Sequence, residues 1–157
     1  CIRDSFEGLK KFLPPPSRRS LVLMDPSYEL KTDYARVASV IQDSLKRFST
    51  GTYMVWYPVI GRPEAHDLPR RLRTLTQQAG KSWLHATLTI KSGKTTQLPV
   101  SLQGETKAPR PGLPASGIFL INPPYTLAKT LRPALEQLVT LLGQDRHAAC
   151  LVESGGH

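Results

Sequence analysis

Apolar residues along this chain follow two rhythms: short unbroken runs, and stripes that return every third or fourth position. Residues 21–24, LVLM, are a run of four and predict a short strand buried on both faces. Residues 33–48 place Tyr34, Val37, Val40, Ile41, Leu45 and Phe48 on one helical face, which predicts an amphipathic helix with Asp33 as its N-cap. After the break at Ser49-Thr50-Gly51, TYMVWYPVI is β-branched and aromatic and reads as a central strand. Residues 63–78 predict a second, very basic helix ended by Gly80, and residues 83–90 alternate as a strand. Residues 117–121 form another apolar strand. Residues 127–142 are a leucine-rich helix, where Pro133 marks either a kink or the real first turn. A short amphipathic helix at 6–12, closed by Pro14-Pro15-Pro16, precedes this set, and a short strand at 148–152 follows it. Residues 91–115, rich in Gly, Pro, Thr and Lys, read as a strand edge plus an exposed loop.

Strands and helices therefore alternate, which predicts one α/β domain with a largely parallel sheet. No helix separates the third and fourth strands, so an antiparallel hairpin is expected at one edge. The 157 residues suffice for one core and do not suggest two.

Charge adds a partner to this picture. There are 21 Lys and Arg against 12 Asp and Glu, a net charge of +9, with basic pairs at Lys10-Lys11, Arg18-Arg19, Lys46-Arg47 and Arg70-Arg71. Such an excess favours a polyanionic partner, and nucleic acid is the commonest one. Arg70, Arg71 and Arg73 could meet RNA phosphates or simply be solvated. The two cysteines, Cys1 and Cys150, form no CxxC, and His66, His85, His147 and His157 are scattered without metal or triad spacing. No metal site is expected, and a reduced, cytoplasmic protein is the simplest reading. No apolar run approaches the roughly 18 residues of a membrane span, so no membrane partner is expected. Ser92-Gly93-Lys94-Thr95 imitates the tail of a phosphate-binding loop, but Leu88 stands where the upstream glycine belongs. Trp56 and Tyr57, in a strand-like run, read as core.

Candidate chemistry gathers where the first apolar run meets Asp25-Pro26-Ser27-Tyr28. In open α/β sheets, ligands sit at the carboxyl ends of strands. The exocyclic amine of adenine is a poor nucleophile because its lone pair is delocalised into the ring. Two acceptors aimed at its N–H groups, the Asp25 carboxylate and the Pro26 carbonyl, would draw that nitrogen toward a pyramidal state. Tyr28, two positions on, could stack on a base taken out of its helix. This suits methyl transfer from S-adenosylmethionine, where positioning supplies much of the catalysis. A near copy, Asn122-Pro123-Pro124-Tyr125, follows a later strand. Were that copy catalytic, the cofactor loop would lie upstream of residue 119, yet no G-x-G occurs anywhere in the chain. The first copy is therefore expected to be chemical and the second a structural turn.

Three segments, DSFEGLKKFLPPPSRRSLVLMDPSYELKTDY, KRFSTGTYMVWYPVI and ASGIFLINPPYTLAKTL, are similar in order and spacing to the J-type large-subunit ribosomal RNA adenine-N6 methyltransferases. The resemblance runs from about Asp4 to the C-terminus. It implies a class I S-adenosylmethionine-dependent methyltransferase fold, a Rossmann-like doubly wound sheet with an antiparallel C-terminal hairpin. It also implies methylation of adenine 2030 of 23S rRNA, on protein-free RNA or an early assembly intermediate, by a monomer. By motif, Asp25 would be catalytic, Pro26, Ser27 and Tyr28 would meet the base, and Asp4 and Ser5, together with Asp25, would border the cofactor. Ser27 stands where the family has a second proline, and Ser5 where it has glycine. The family's N-terminal, cofactor-binding half has no counterpart here. Residues 1–157 are thus expected to be the C-terminal catalytic half of a methyltransferase domain in a protein of about 280 residues, inactive by itself. Family members are also labelled as proteins for catabolism of external DNA. A DNA-binding or DNA-utilisation protein and a DNA adenine-N6 methyltransferase are therefore the alternative readings.

Overall fold

In the computed structural model, which describes residues 5–92 and 112–156, five strands and four helices alternate except where the fourth strand follows the third. They are α1 (Ser5–Phe12), β1 (Leu21–Met24), α2 (Lys31–Arg47), β2 (Thr52–Val59), α3 (Pro63–Gln78), β3 (Trp83–Thr89), β4 (Ala115–Ile121), α4 (Leu127–Leu142) and β5 (Ala149–Gly155). The strands form one mixed sheet in the order β1-β2-β4-β3-β5. Only β1 and β2 pair in parallel; β2–β4, β3–β4 and β3–β5 are antiparallel. The expectation of a largely parallel sheet is thus corrected. Helix α2 carries the chain back between β1 and β2, as parallel pairing requires. Helix α3 does the same for β2 and β3 but leaves a strand-wide gap, which β4 fills. The β3–β4 hairpin is antiparallel as expected, but it lies inside the sheet and not at an edge. Most of the loop expected at 91–115 lies outside the described residues.

Strand pleating divides the core in two, because successive side chains point to opposite faces. Tyr53, Val55, Tyr57, Phe119 and Ile121 pack with Val37, Ile41, Leu45, Leu68 and Leu72 of α2 and α3. Leu84, Ala86, Leu120 and Val152 pack with Leu135 of α4 on the other face. The helical stripe read at 33–48 is the buried stripe of α2, apart from Val40, which is only partly buried. Asp33 is not its N-cap. The helix starts two residues earlier, with Leu30 at the cap, and the Asp33 carboxylate reaches back from the first turn to accept from the Leu30 N–H at 3.2 Å. Pro133 lies within α4 rather than at its start. Among the described residues no helix is long and apolar enough to cross a membrane, and no group of three or more metal-ligating side chains occurs.

Strand β1 is not buried on both faces. Val22 and Met24 face the α2–α3 core, but Leu21 and Leu23 are 66% and 58% exposed. The reason is position: β1 is an edge strand, and α4 covers the part of that face over β3 and β5.

A buried polar cluster borders the larger core. His85 is nearly enclosed, with Nε2 2.7 Å from the Tyr57 hydroxyl and Nδ1 3.6 Å from Glu153 Oε2. Glu153 also accepts from Arg73, whose guanidinium lies over the Trp83 ring. Gly117 makes room for the pair, since a side chain there would collide with the Tyr57 ring. Burial pushes the Tyr57 hydroxyl up, so it keeps its proton; the tautomer with Nδ1–H facing the Glu153 carboxylate leaves Nε2 to accept from that hydroxyl. Desolvation lowers the His85 pKa, an effect that Glu153 partly offsets and Arg73 reinforces. The unfolded chain therefore binds a proton there more readily than the native one. The stability from neutral His85 is complete above the unfolded value, near 6.5, and is lost as pH falls from about 6.5 toward the lower native value. Denaturant unfolding between pH 8 and pH 5 should show this loss in the parent protein and a flatter profile in His85→Gln. Identical slopes would exclude His85 as its source.

Candidate active site at the carboxyl end of β1

The β1 ladder ends with Met24 opposite Val55, and the chain leaves the sheet at Asp25. Asp25 and Ser27 are exposed and Pro26 is half-buried, so the carboxylate stands open to a ligand where β1 stops. Tyr28 then adopts a left-handed backbone conformation, φ 53°, which turns its ring back into the protein. Only 2% of Tyr28 is exposed. Its ring centroid lies 4.7 Å from that of Tyr34 and 6.5 Å from that of Trp56. The Tyr28 hydroxyl donates to the Trp56 carbonyl at 2.7 Å. Trp56 is one residue past the last β1 partner on β2, so this hydroxyl takes up a carbonyl beyond the end of the ladder. Burial first, then the neighbouring Tyr34 and Asp25, raise the Tyr28 pKa and keep it a donor.

Tyr28 is therefore not the open stacking platform expected from the sequence. In this conformation it is a peg that fastens the Asp25 turn to β2. A second fastening was not visible in the sequence. Arg62, the N-cap residue of α3, donates from one guanidinium nitrogen to the carbonyls of Tyr28, at 3.2 Å, and Glu29, at 3.1 Å. An arginine before a proline is too common a pair to signal such a role. Of the residues expected at the cofactor, Asp4 lies outside the described residues, and Ser5 opens α1 without a described side chain.

Asn122-Pro123-Pro124-Tyr125 sits at the opposite end of the sheet. Strand β4 runs against β2, so Ile121 pairs with Tyr53 near the start of β2, away from Asp25. The Asn122 amide donates to the carbonyls of Ser49 and Gly51 at 3.0 and 2.8 Å, and its own carbonyl accepts from Thr52. Its hydrogen-bonding capacity goes into closing the α2–β2 connection, while Tyr125 is fully in solvent. This is a structural turn.

A family model described as ribosomal RNA large subunit methyltransferase D, RlmJ, matches residues 2–152. The chain belongs to the RlmJ family. The resemblance carried by the quoted segments thus holds. A relative from Haemophilus influenzae, named ribosomal RNA large subunit methyltransferase J, is 37% identical over 96% of this chain and 47% of its own length. Its namesake from Escherichia coli is 39% identical over 86% of this chain and 42% of its own length. A crystal structure of a Legionella pneumophila protein aligns with a TM-score of 0.76 at 31% identity, covering 97% of this chain and 49% of that one. This RlmJ-family chain therefore spans about half the length of the relatives it matches.

Proposed function

We propose that this chain supplies the catalytic half of a class I methyltransferase that methylates N6 of an adenine in 23S rRNA, adenine 2030 by family likeness. The observation that carries the reading is the exposed Asp25-Pro26 pair at the carboxyl end of β1, in a parallel β1–α2–β2 unit. Membership of the RlmJ family supports the reaction class. The bare edge of β1, with Leu21 and Leu23 exposed, supports a sheet that continues into a strand supplied by the other half of such a protein. The rRNA methyltransferase names of the relatives and the net charge of +9 support an RNA substrate.

In this reading Asp25 accepts one N–H of the adenine amine and the Pro26 carbonyl accepts the other, which releases the nitrogen lone pair from the ring. Bound S-adenosylmethionine supplies an electrophilic methyl group. Asp25 would border it, as Asp4 and Ser5 would by family motif, and an exposed carboxylate at an open strand end fits that use. Once the nitrogen carries the methyl, it sheds a proton along the hydrogen bond to Asp25, and from there to solvent. Tyr28 and Arg62 do not touch the amine; they hold the turn that presents the two acceptors. Base stacking falls to a residue other than Tyr28 unless its ring leaves the core. The enzyme acts as a monomer on RNA before it is covered by ribosomal proteins.

The test is an assay of the full-length protein with isotopically labelled S-adenosylmethionine on protein-free 23S rRNA and on duplex DNA, side by side. Digestion of the RNA should yield labelled N6-methyladenine, and DNA should take up none. Label on DNA alone would move the assignment to a DNA adenine methyltransferase. Nucleic-acid binding without label on either would leave a binding protein on the same fold.

A further inference from the structure

We propose that Arg62 is a positioning residue for methyl transfer, setting the angle at which Asp25 and Pro26 meet the amine. The inference rests on the function proposed for that turn. Asp25 and Pro26 have little packing of their own, exposed and half-buried respectively. What fixes them must lie on either side. Upstream is the β1 ladder, which ends at Met24. Downstream is Tyr28, whose hydroxyl on the Trp56 carbonyl secures the ring. A ring held at its far end still leaves the peptide planes at residues 28 and 29 free to rotate, and a non-glycine residue at positive φ persists only when its surroundings hold it.

Arg62 provides that hold. One of its terminal nitrogens bridges two consecutive carbonyls, Tyr28 and Glu29, at 3.2 and 3.1 Å. Arg62 is itself fixed at both ends of its backbone: its N–H donates to the Ile60 carbonyl at 2.7 Å, and its carbonyl accepts from Ala65 in the first turn of α3. The clamp thus ties the turn after β1 to the turn after β2, the two neighbouring strand ends between which a ligand would lie. Its charge-assisted donors are directed, and a planar guanidinium holds that direction better than an ammonium on a flexible stem.

The experiment compares Arg62→Ala, Arg62→Lys and Asp25→Ala in the full-length protein. Single-turnover methylation of 23S rRNA, KM for RNA, binding of S-adenosylmethionine and Tm are each measured. Arg62→Ala should lower kcat on the order of 10²-fold, the scale of an ångström misplacement of reacting groups, with KM and cofactor affinity near parental values. Arg62→Lys should fall between, and free guanidinium ion should restore part of the Arg62→Ala rate. A parental kcat in Arg62→Ala, or a loss carried wholly by KM or cofactor affinity, overturns the proposal. If Arg62→Ala does not fold, Arg62→Lys decides: reduced kcat at a near-parental Tm supports the clamp, and parental kcat overturns it. Parental activity in Asp25→Ala removes the function assigned to the turn and this inference with it, whereas an inactive Asp25→Ala beside a fully active Arg62→Ala removes only the inference.

Discussion

Asp25→Ala in the full-length protein is expected to lower single-turnover methyl transfer by about 100- to 1,000-fold, the range seen when one preorganised polar contact to a reacting group is removed. RNA binding should be largely unchanged, because on the proposed reading the contacts to phosphates fall to basic side chains elsewhere. The substitution should also cost little stability. Asp25 is exposed, and the bonds that shape its turn belong to Tyr28 and Arg62. The effect should therefore appear in the rate and not in RNA affinity or stability, which filter binding and single-turnover rates measured together would separate. Asp25→Asn keeps one acceptor oxygen but adds an N–H donor, and should recover only part of the rate. Equal methylation by Asp25→Ala and the parent would end the assignment of Asp25.

Phe119→Ala should have the largest effect on the fold, a loss of about 3–5 kcal/mol. Phe119 is fully buried at the middle of β4, the strand bonded on one side to β2 and on the other to β3. Its ring lies nearly parallel to that of Trp83, with centroids 5.8 Å apart, and 5.9 Å from that of His85. Removing it opens a cavity whose walls are strands held in register and cannot easily collapse. Equilibrium denaturation should show a lower midpoint with little change in slope. A loss below about 1 kcal/mol would mean that Trp83 and His85 repack into the space.

Where one local rule decided the outcome, the elements could be read from the sequence. The stripe Tyr34, Val37, Ile41 and Leu45 can bury itself only as a helix, and TYMVWYPV can satisfy its bulky side chains only as a pleated strand, with Tyr53, Val55 and Tyr57 on its buried face. Pairing was less legible. LVLM suits a fully buried strand, yet whether Leu21 and Leu23 are covered depends on what lies beside β1, which four residues do not encode. The place of β4 between β2 and β3 is likewise set by distant pairing and not by its own pattern. At the candidate site, the Asp-Pro turn stood out because a carboxylate and a proline interrupt an apolar run. Its supports did not. An aromatic in a loop motif looks exposed until a positive φ folds it inward, and the link from Arg62 to Tyr28 spans a separation of 34 residues.

The insertion of β4 also has a consequence for how this chain is made. During vectorial synthesis β2, α3 and β3 leave the ribosome well before residues 115–121, which join them into one sheet. Until then β2 presents one unpaired edge and β3 two, since its other neighbour, β5, is made later still, and the apolar faces of α2 and α3 have a floor with its central plank missing. Closure requires pairing across long sequence separations, which is slow and leaves sticky edges exposed in the meantime. A nascent chain arrested before residue 115 should thus be a strong client for chaperones, and one released past residue 155, with β5 paired, a weak one. The sheet is therefore finished in two late steps, β4 and then β5, and β3 keeps an open edge until both have emerged.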